Sequence, residues 1–360
     1  MMKHIALAPC LLLAALSAHA QSVPISIKAS GAVCDGKTDD GGAIARAIAE
    51  AKAKALPVLI PAGVCAYGDV INLDGVKLAG TGDASVLYAL NPLREVIFLR
   101  GSGSEVRSLK LTGAKPPGRR PPWEGSRIVP FAASNWTVDN VTIDSSTGTG
   151  IQTARESTNG TISNNRITDT MGDAIHITDG ASYITITGNT VQRSGDDGIA
   201  VVSYQKQKIS HHITAKGNTI TDNRGGRSMS VVGGSDVVYE NNRMSNPVAA
   251  CLYLAQEGNK DYNTHAITGI VARNNTLTSC GNAAIGHAAV MLFTNTAGYT
   301  NSGVTLSRNE IASSAVGIRA YGSNADITLD SNRINAAEPM RLQTQGVRVT
   351  PYATGGAGAQ

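Results

Sequence analysis

The sequence predicts an all-β fold, a single-stranded right-handed parallel β-helix with an N-terminal capping helix, and three observations predict it. Composition is the first: 39 glycines in 360 residues, with 4% aromatic and 16% charged residues, suit many short strands and tight turns better than a conventional aromatic core. The second is an internal repeat, visible in "NNRITDTMGDAIHI", "GNTVQRSGDDGIAV", "GNTITDNRGGRSMSV", "NNRMSNPVAACLYL", "NNTLTSCGNAAI" and "RNEIASSAVGIRA". Each unit has an asparagine, a branched apolar residue, and about nine residues later an apolar-x-apolar step. The third is "TDDGGAIARAIAEAKAKA" near the front, the one long stretch with helical periodicity.

In chain order, residues 1–20 read as an export signal. Lys3 and His4 precede an apolar run from Ile5 to Leu16, and Ala18 and Ala20 occupy the small positions before Gln21. The run is too short to span a membrane, so the mature chain is expected to be soluble and exported, periplasmic or extracellular, with no membrane partner. The β-helix domain is assigned to 21–350. Thr38 or Asp39 is expected to cap the helix, whose Ile44 and Ile48 share a face that can cover the open end of the barrel. Residues 351–360, glycine-rich with nothing to pack, are expected to be disordered. Four cysteines follow the signal, and the local pairs Cys34/Cys65 and Cys251/Cys280 are preferred for an exported chain. Free buried thiols remain open for the second pair, and the spacings are unlike a zinc site.

The recurring asparagines are Asn140, Asn165, Asn189, Asn218, Asn242, Asn275, Asn309 and Asn332. A unit of about 24 residues cannot enclose a core alone, but stacked units can bury a continuous one. Asparagine at each turn tolerates a left-handed backbone, and its amide can bond to the same residue on the coils above and below. The spacing predicts nine or ten coils, a rod of ~45 Å at ~4.8 Å per coil. Aligned on the inward pairs Ile175/Ile177, Ile199/Val201, Met229/Val231 and Leu252/Leu254, two outward columns form. One holds Asp173, Asp197 and Arg227; the other holds His176, Ala200, Ser230 and Tyr253. Met229 follows its asparagine by eleven residues rather than ten, which leaves the third coil's register open by one.

"GAVCDGKTDDGGAIARAIAEA", followed by "VLIPAGVCAYGDVINLDGVKLAGTGD", resembles the opening segment of the secreted pectin-lyase-like β-helix superfamily, which includes the polygalacturonases. The site region is similar to the polygalacturonases in particular. "MGDAI", with Asp173, stands where they carry Asn-Thr-Asp, and "GDDGIAV", with Asp196 and Asp197, where they carry Gly-Asp-Asp. The resemblance implies that Asp197 or Asp196 is the general acid and that the other aspartates hold water. Two departures follow: Arg227 in "GRSMSV" replaces a histidine, and Tyr253 in "CLYLA" replaces an arginine.

Physical chemistry supports the same patch. Carboxylates one rung apart raise one another's proton affinity or demand a cation, and glycosidic hydrolysis needs an acid and a carboxylate together. Asp173, Asp196 and Asp197 are therefore the candidate catalytic residues. Arg227, His176, Tyr253, Trp123, Arg120 and Lys206 are the candidate substrate-binding residues. Trp123, Arg119 and Arg120 come from "KPPGRRPPWEGSR"; Lys206 lies in "SYQKQKISHH", which with "QEGNKDYNTH" should form one groove wall. The net charge of +4 carries no dense basic block, which suits an acidic polysaccharide and excludes a nucleic-acid footprint. The expectation is a monomeric, cofactor-free hydrolase of a uronate-containing polysaccharide. A lyase is the alternative, with Arg227, His176 or Tyr253 moving protons and the aspartates holding Ca²⁺; a non-catalytic polysaccharide-binding β-helix is the other.

Overall fold

The computed structural model describes residues 23–114, 118–119, 123–350 and 353–354; the expected signal, residues 1–20, lies outside them. Its strands form two hydrogen-bonded sheets of 13 and 22 strands, and successive coils pair in parallel. The larger sheet wraps two sides of the molecule. One side runs from Asp35–Asp39 through Arg166–Thr170, the other from Ile71–Asp74 through Ile175–Ile177 to Val290–Thr294, and they meet in the long strand Glu310–Tyr321. The coil is thus three-faced. Alternation along each short strand sends Ile, Val and Leu inward, and these side chains make one continuous core from Ile27 to Ile334.

Thirteen strands on the smaller sheet give twelve steps, a stack of about 58 Å at ~4.8 Å per step. The expected nine or ten coils fell short because they were counted on asparagines, and the coils ahead of Val141 carry no asparagine ladder. The ladder itself runs from Asn165 to Asn332. The Nδ2 of Asn165, Asn189, Asn218, Asn242, Asn275 and Asn309 each donates to the Oδ1 of the next at 2.9–3.0 Å. That Oδ1 also accepts the backbone N–H of the residue below, as Asn218 does from Asn189 at 2.9 Å. Asn140 is not a member. It lies one residue early, at φ 52°, and donates to Ser108 Oγ, while Val141 occupies the ladder position. The left-handed residue is the one before each ladder asparagine (Asn164, Gly188, Gly217, Asn241, Asn274), so bonding and backbone freedom are divided between neighbours.

The helix Gly41–Lys54 buries Ala43, Ile44, Ala47 and Ala51, with Ile48 partly buried against the same core. Its N-cap is Asp40 rather than Thr38 or Asp39. The Asp40 carboxylate accepts from Val33 and Cys34 N–H at 2.6 and 3.0 Å, and Asp39 Oδ1 takes the Gly41 N–H at 2.9 Å. Thr38 Oγ1 instead donates to Asp35. Both preferred disulfides are formed, Cys34–Cys65 beside the helix and Cys251–Cys280 between neighbouring coils. Within the tail expected to be disordered, Ala353–Thr354 pair with Arg333 and Ile334; its other residues lie outside those described. No described helix is long and apolar enough to cross a membrane.

Candidate active site

The side of the larger sheet that runs from Ile71–Asp74 through Ile175–Ile177 to Val290–Thr294, the third face of the coil, carries the two outward columns in the expected register. Ile175, Ile199, Met229 and Leu252 are paired in turn, and so are His176, Ala200, Ser230 and Tyr253. The register left open on the third coil is resolved: Gln192 pairs with Thr221, whereas Ile199 pairs with Met229, a partner displaced one further along the chain. The extra residue is therefore taken up in the turn before Arg227.

Asp173, Asp197 and Arg227 stack immediately ahead of these strands. Asp173 Oδ1 accepts the Asp197 N–H at 2.9 Å, and Asp197 Oδ1 accepts the Arg227 N–H at 2.6 Å. Each carboxylate thus bonds the next rung. They do not face open solvent as the stacking argument expected: Asp173 is 5% and Asp197 4% exposed. Asp196 beside them is more open and pairs with Arg119 Nη1 at 2.6 Å. Oxygens from all three aspartates lie within 4.8 Å of one another. Gly226, at φ +61°, permits this approach, since a Cβ there would collide with the Oδ1 atoms of both Asp197 and Asp196.

Burial pushes the Asp197 carboxyl up to about 6; Arg227 opposes the shift, Asp173 and Asp196 add to it, and the Ser230 hydroxyl opposes it. Ser230 Oγ donates to Asp197 Oδ2 at 2.5 Å. Asp173 Oδ2 meets His176 Nδ1 at 2.5 Å, so the imidazole is held against a carboxylate and orients it. The cluster places one group that keeps a proton to near neutrality beside two further carboxylates.

Arg227 and Tyr253 are engaged by the protein's own side chains. The Arg227 guanidinium carbon lies 3.8 Å from the Tyr253 ring centroid, with Nη1 3.6 Å from Asp197 Oδ1 and Nη2 2.8 Å from Glu257 Oε1. Tyr253 is buried beneath it, stacked on His287 and bonded through its hydroxyl to the same Glu257 oxygen. The buried Tyr253, covered by the arginine, departs from the direct substrate contact expected of it, whereas Arg227 keeps 21% of its side chain exposed while meeting two carboxylates. Glu257 and Gly226 were not singled out in sequence, and Ser230 was placed in its column without a role. Glu257 lies in a loop quoted only as a wall, and nothing in its spacing points to Arg227.

Ahead of the acids lies an open cleft of about 270 Å³, lined by Arg119, Trp123, Gln152, Asp173, His176 and Tyr204 among others. Trp123 packs edge-on against Phe131, with the Arg155 guanidinium 5.6 Å from its ring centroid. Lys206 does not line this cleft; its loop turns the lysine to solvent and contributes Tyr204 and Gln207 instead. Arg120 lies outside the described residues. The two long loops are joined, Gln205 N–H donating to Asn263 O at 2.8 Å and His265 Nε2 lying 3.0 Å from Gln207 O.

The chain matches a family model described as a right-handed β-helix region over residues 96–212 and 126–297. Comparison with curated proteins finds no match. Among solved structures, the catalytic domain of a glycoside hydrolase family 87 α-1,3-glucanase, in complex with tetrasaccharides, superposes with a TM-score of 0.73 at 19% identity, over 88% of this chain and 67% of that one. The corresponding unit of a thermostable α-1,3-glucanase from Streptomyces thermodiastaticus gives 0.70 at 18%, over 92% and 70%. The A-module of a mannuronan C-5 epimerase from Azotobacter vinelandii gives 0.68 at 14%, over 92% and 99%. The first glucanase was solved with sugars in three single aspartate-to-alanine variants, two at adjacent positions and the third ahead of that pair.

Proposed function

Because the chain belongs to the right-handed β-helix family, we propose that it is a polysaccharide hydrolase whose reaction centre is the cluster Asp173, Asp196 and Asp197. The observation that carries this reading is the convergence of three carboxylates, two of them buried, within 4.8 Å. Burying like charges together costs several kcal/mol, and such arrangements concentrate where acid and base are needed. Asp173 precedes the adjacent pair Asp196 and Asp197 by the same interval that separates the three aspartates replaced in the glucanase, which supports the same assignment.

Asp197 is the acid, because burial among like charges holds its proton up to about 6. Its proton passes to the glycosidic oxygen as the bond from that oxygen to the anomeric carbon breaks. Water adds to the anomeric carbon and gives its proton to the carboxylate of Asp173 or Asp196. His176 orients Asp173, and Arg227 restrains Asp197 from an even higher proton affinity. The helix Gly41–Lys54 serves as the lid of the first coil, and two disulfides support an exported enzyme.

The expectation of a uronate substrate drew on the mild positive charge, the polygalacturonase resemblance and the candidate arginines, and the last of these is weakened because Arg119 and Arg227 already pair with carboxylates. The cleft offers Gln152, Thr149, Thr178 and the Trp123 ring, which suit a neutral sugar's hydroxyls and apolar face. Cation-assisted elimination has less support, since a cation would have to displace guanidinium groups from two of the three carboxylates. Reducing-end release from α-1,3-glucan and from polygalacturonate, read beside absorbance of unsaturated products, tests the proposal. Reducing ends without absorbance are expected from one of these polymers; absorbance rising with cleavage would replace hydrolysis by elimination.

A further inference from the structure

The third face is open on one side of the acids and closed on the other. Arg227 stands just before the strand Met229–Val232, and Glu257 follows directly after Leu252–Gln256. Their ion pair, 2.8 Å long, therefore crosses the face from one edge to the other, directly over the Tyr253 ring. Tyr262 anchors the far end, its hydroxyl donating to Glu257 Oε2 at 2.8 Å and its ring meeting Tyr204 edge-on. Beyond this strap the column continues through Met291, only 1% exposed, and its neighbour Phe293 is 6% exposed under the Tyr321 ring. On the opposite side of Asp173 lies the cleft, which among the described residues runs past His176 and Gln152 to Trp123.

From this asymmetry we infer that the groove is blind at the Arg227–Glu257 strap, so that the enzyme acts on chain ends and releases short products of fixed length. The inference rests on the hydrolase reading above and adds to it the mode of attack. The strap begins against the acids themselves, Arg227 Nη1 lying 3.6 Å from Asp197 Oδ1, so a polymer bound along the cleft reaches them by its end, with the residue to be released held against the strap. Internal stretches of chain cannot pass.

The test is product analysis over time with α-1,3-glucan and polygalacturonate, by the wild type and by Glu257→Ala/Tyr262→Ala, with melting curves to verify that the variant folds. The wild type should release one short sugar from the first per cent of reaction, with viscosity falling slowly against reducing ends formed. The variant should produce a spread of longer oligosaccharides, with viscosity falling at least several-fold faster per bond cut. A spread of intermediate lengths from the wild type at early times would overturn the blind groove while leaving hydrolysis standing. No bonds cleaved in either polymer would overturn the hydrolase reading for these substrates, and the inference with it. If the variant unfolds, the early product distribution of the wild type decides alone.

Discussion

At the scale of single residues, the chemistry turns on what keeps a proton on Asp197. Its surroundings are Asp173 and Asp196, which raise its affinity, Arg227 and Ser230, which lower it, and Tyr239 beneath. Activity requiring protonated Asp197 is present at low pH and lost as pH rises through about 6. Removing the donor in Ser230→Ala, or the charge in Arg227→Gln, takes away an influence that lowers the pKa, so the alkaline limb should move to higher pH in both. A pH–rate profile of the two variants reads this directly; a limb that moves down or stays would remove Asp197 from the acid role. Stability follows the same group with its own sign. A carboxyl whose pKa is raised on folding contributes stability below its unfolded value near 3.8, and that contribution is lost as pH rises through about 6. Asp197→Asn carries no such loss, so above pH 6 its melting temperature should equal or exceed that of the wild type. The candidate aspartates were legible because they fall in one column at a fixed period. The strap was not: Arg227 and Glu257 are 30 residues apart on different loops, and only the fold shows that a loop end returns over the preceding rung.

At the scale of elements, the asparagine ladder joins coils through side chains that are themselves buried. Asn218→Ala leaves Asn189 N–H without its acceptor, takes one of two acceptors from Asn189 Nδ2 and removes the side-chain donor to Ile186 O, while Asn242 Oδ1 keeps only the backbone N–H of residue 218. Leaving buried polar groups unpaired costs roughly 1–3 kcal/mol each, so denaturant unfolding should register a loss of about 3 kcal/mol or more. The exposed Asn140, outside the ladder, should lose little on the same exchange, and equal losses at both positions would contradict the assignment. Replacing Cys251 and Cys280 together by serine removes a link closing 29 residues and should cost about 2–4 kcal/mol, seen as a lower melting midpoint under oxidising conditions. Periodicity made the ladder and the inward pairs readable from sequence. It could not distinguish Asn140 from Val141, because adjacent asparagines such as Asn164 and Asn165 fill two different roles with one residue type.

At the scale of the whole molecule, the fold is a rod of thirteen rungs whose third face is cut in two by its own side chains. The coil architecture was legible because each unit repeats the same requirement, while the rod's length was not, since its first coils carry no asparagine ladder. Which arginines are open to a substrate was not legible either, because counting them says nothing of which carboxylates already hold them. The central claim is that Asp173, Asp196 and Asp197 carry out hydrolysis, and the most direct measurement compares wild type with Asp197→Asn for reducing-end release from α-1,3-glucan and polygalacturonate, with unsaturated products monitored in parallel. The wild type should give reducing ends without unsaturated product, and turnover should be lower by ~10²-fold or more in a variant that melts no earlier. Undiminished turnover in the variant, or unsaturated product from the wild type, would contradict it.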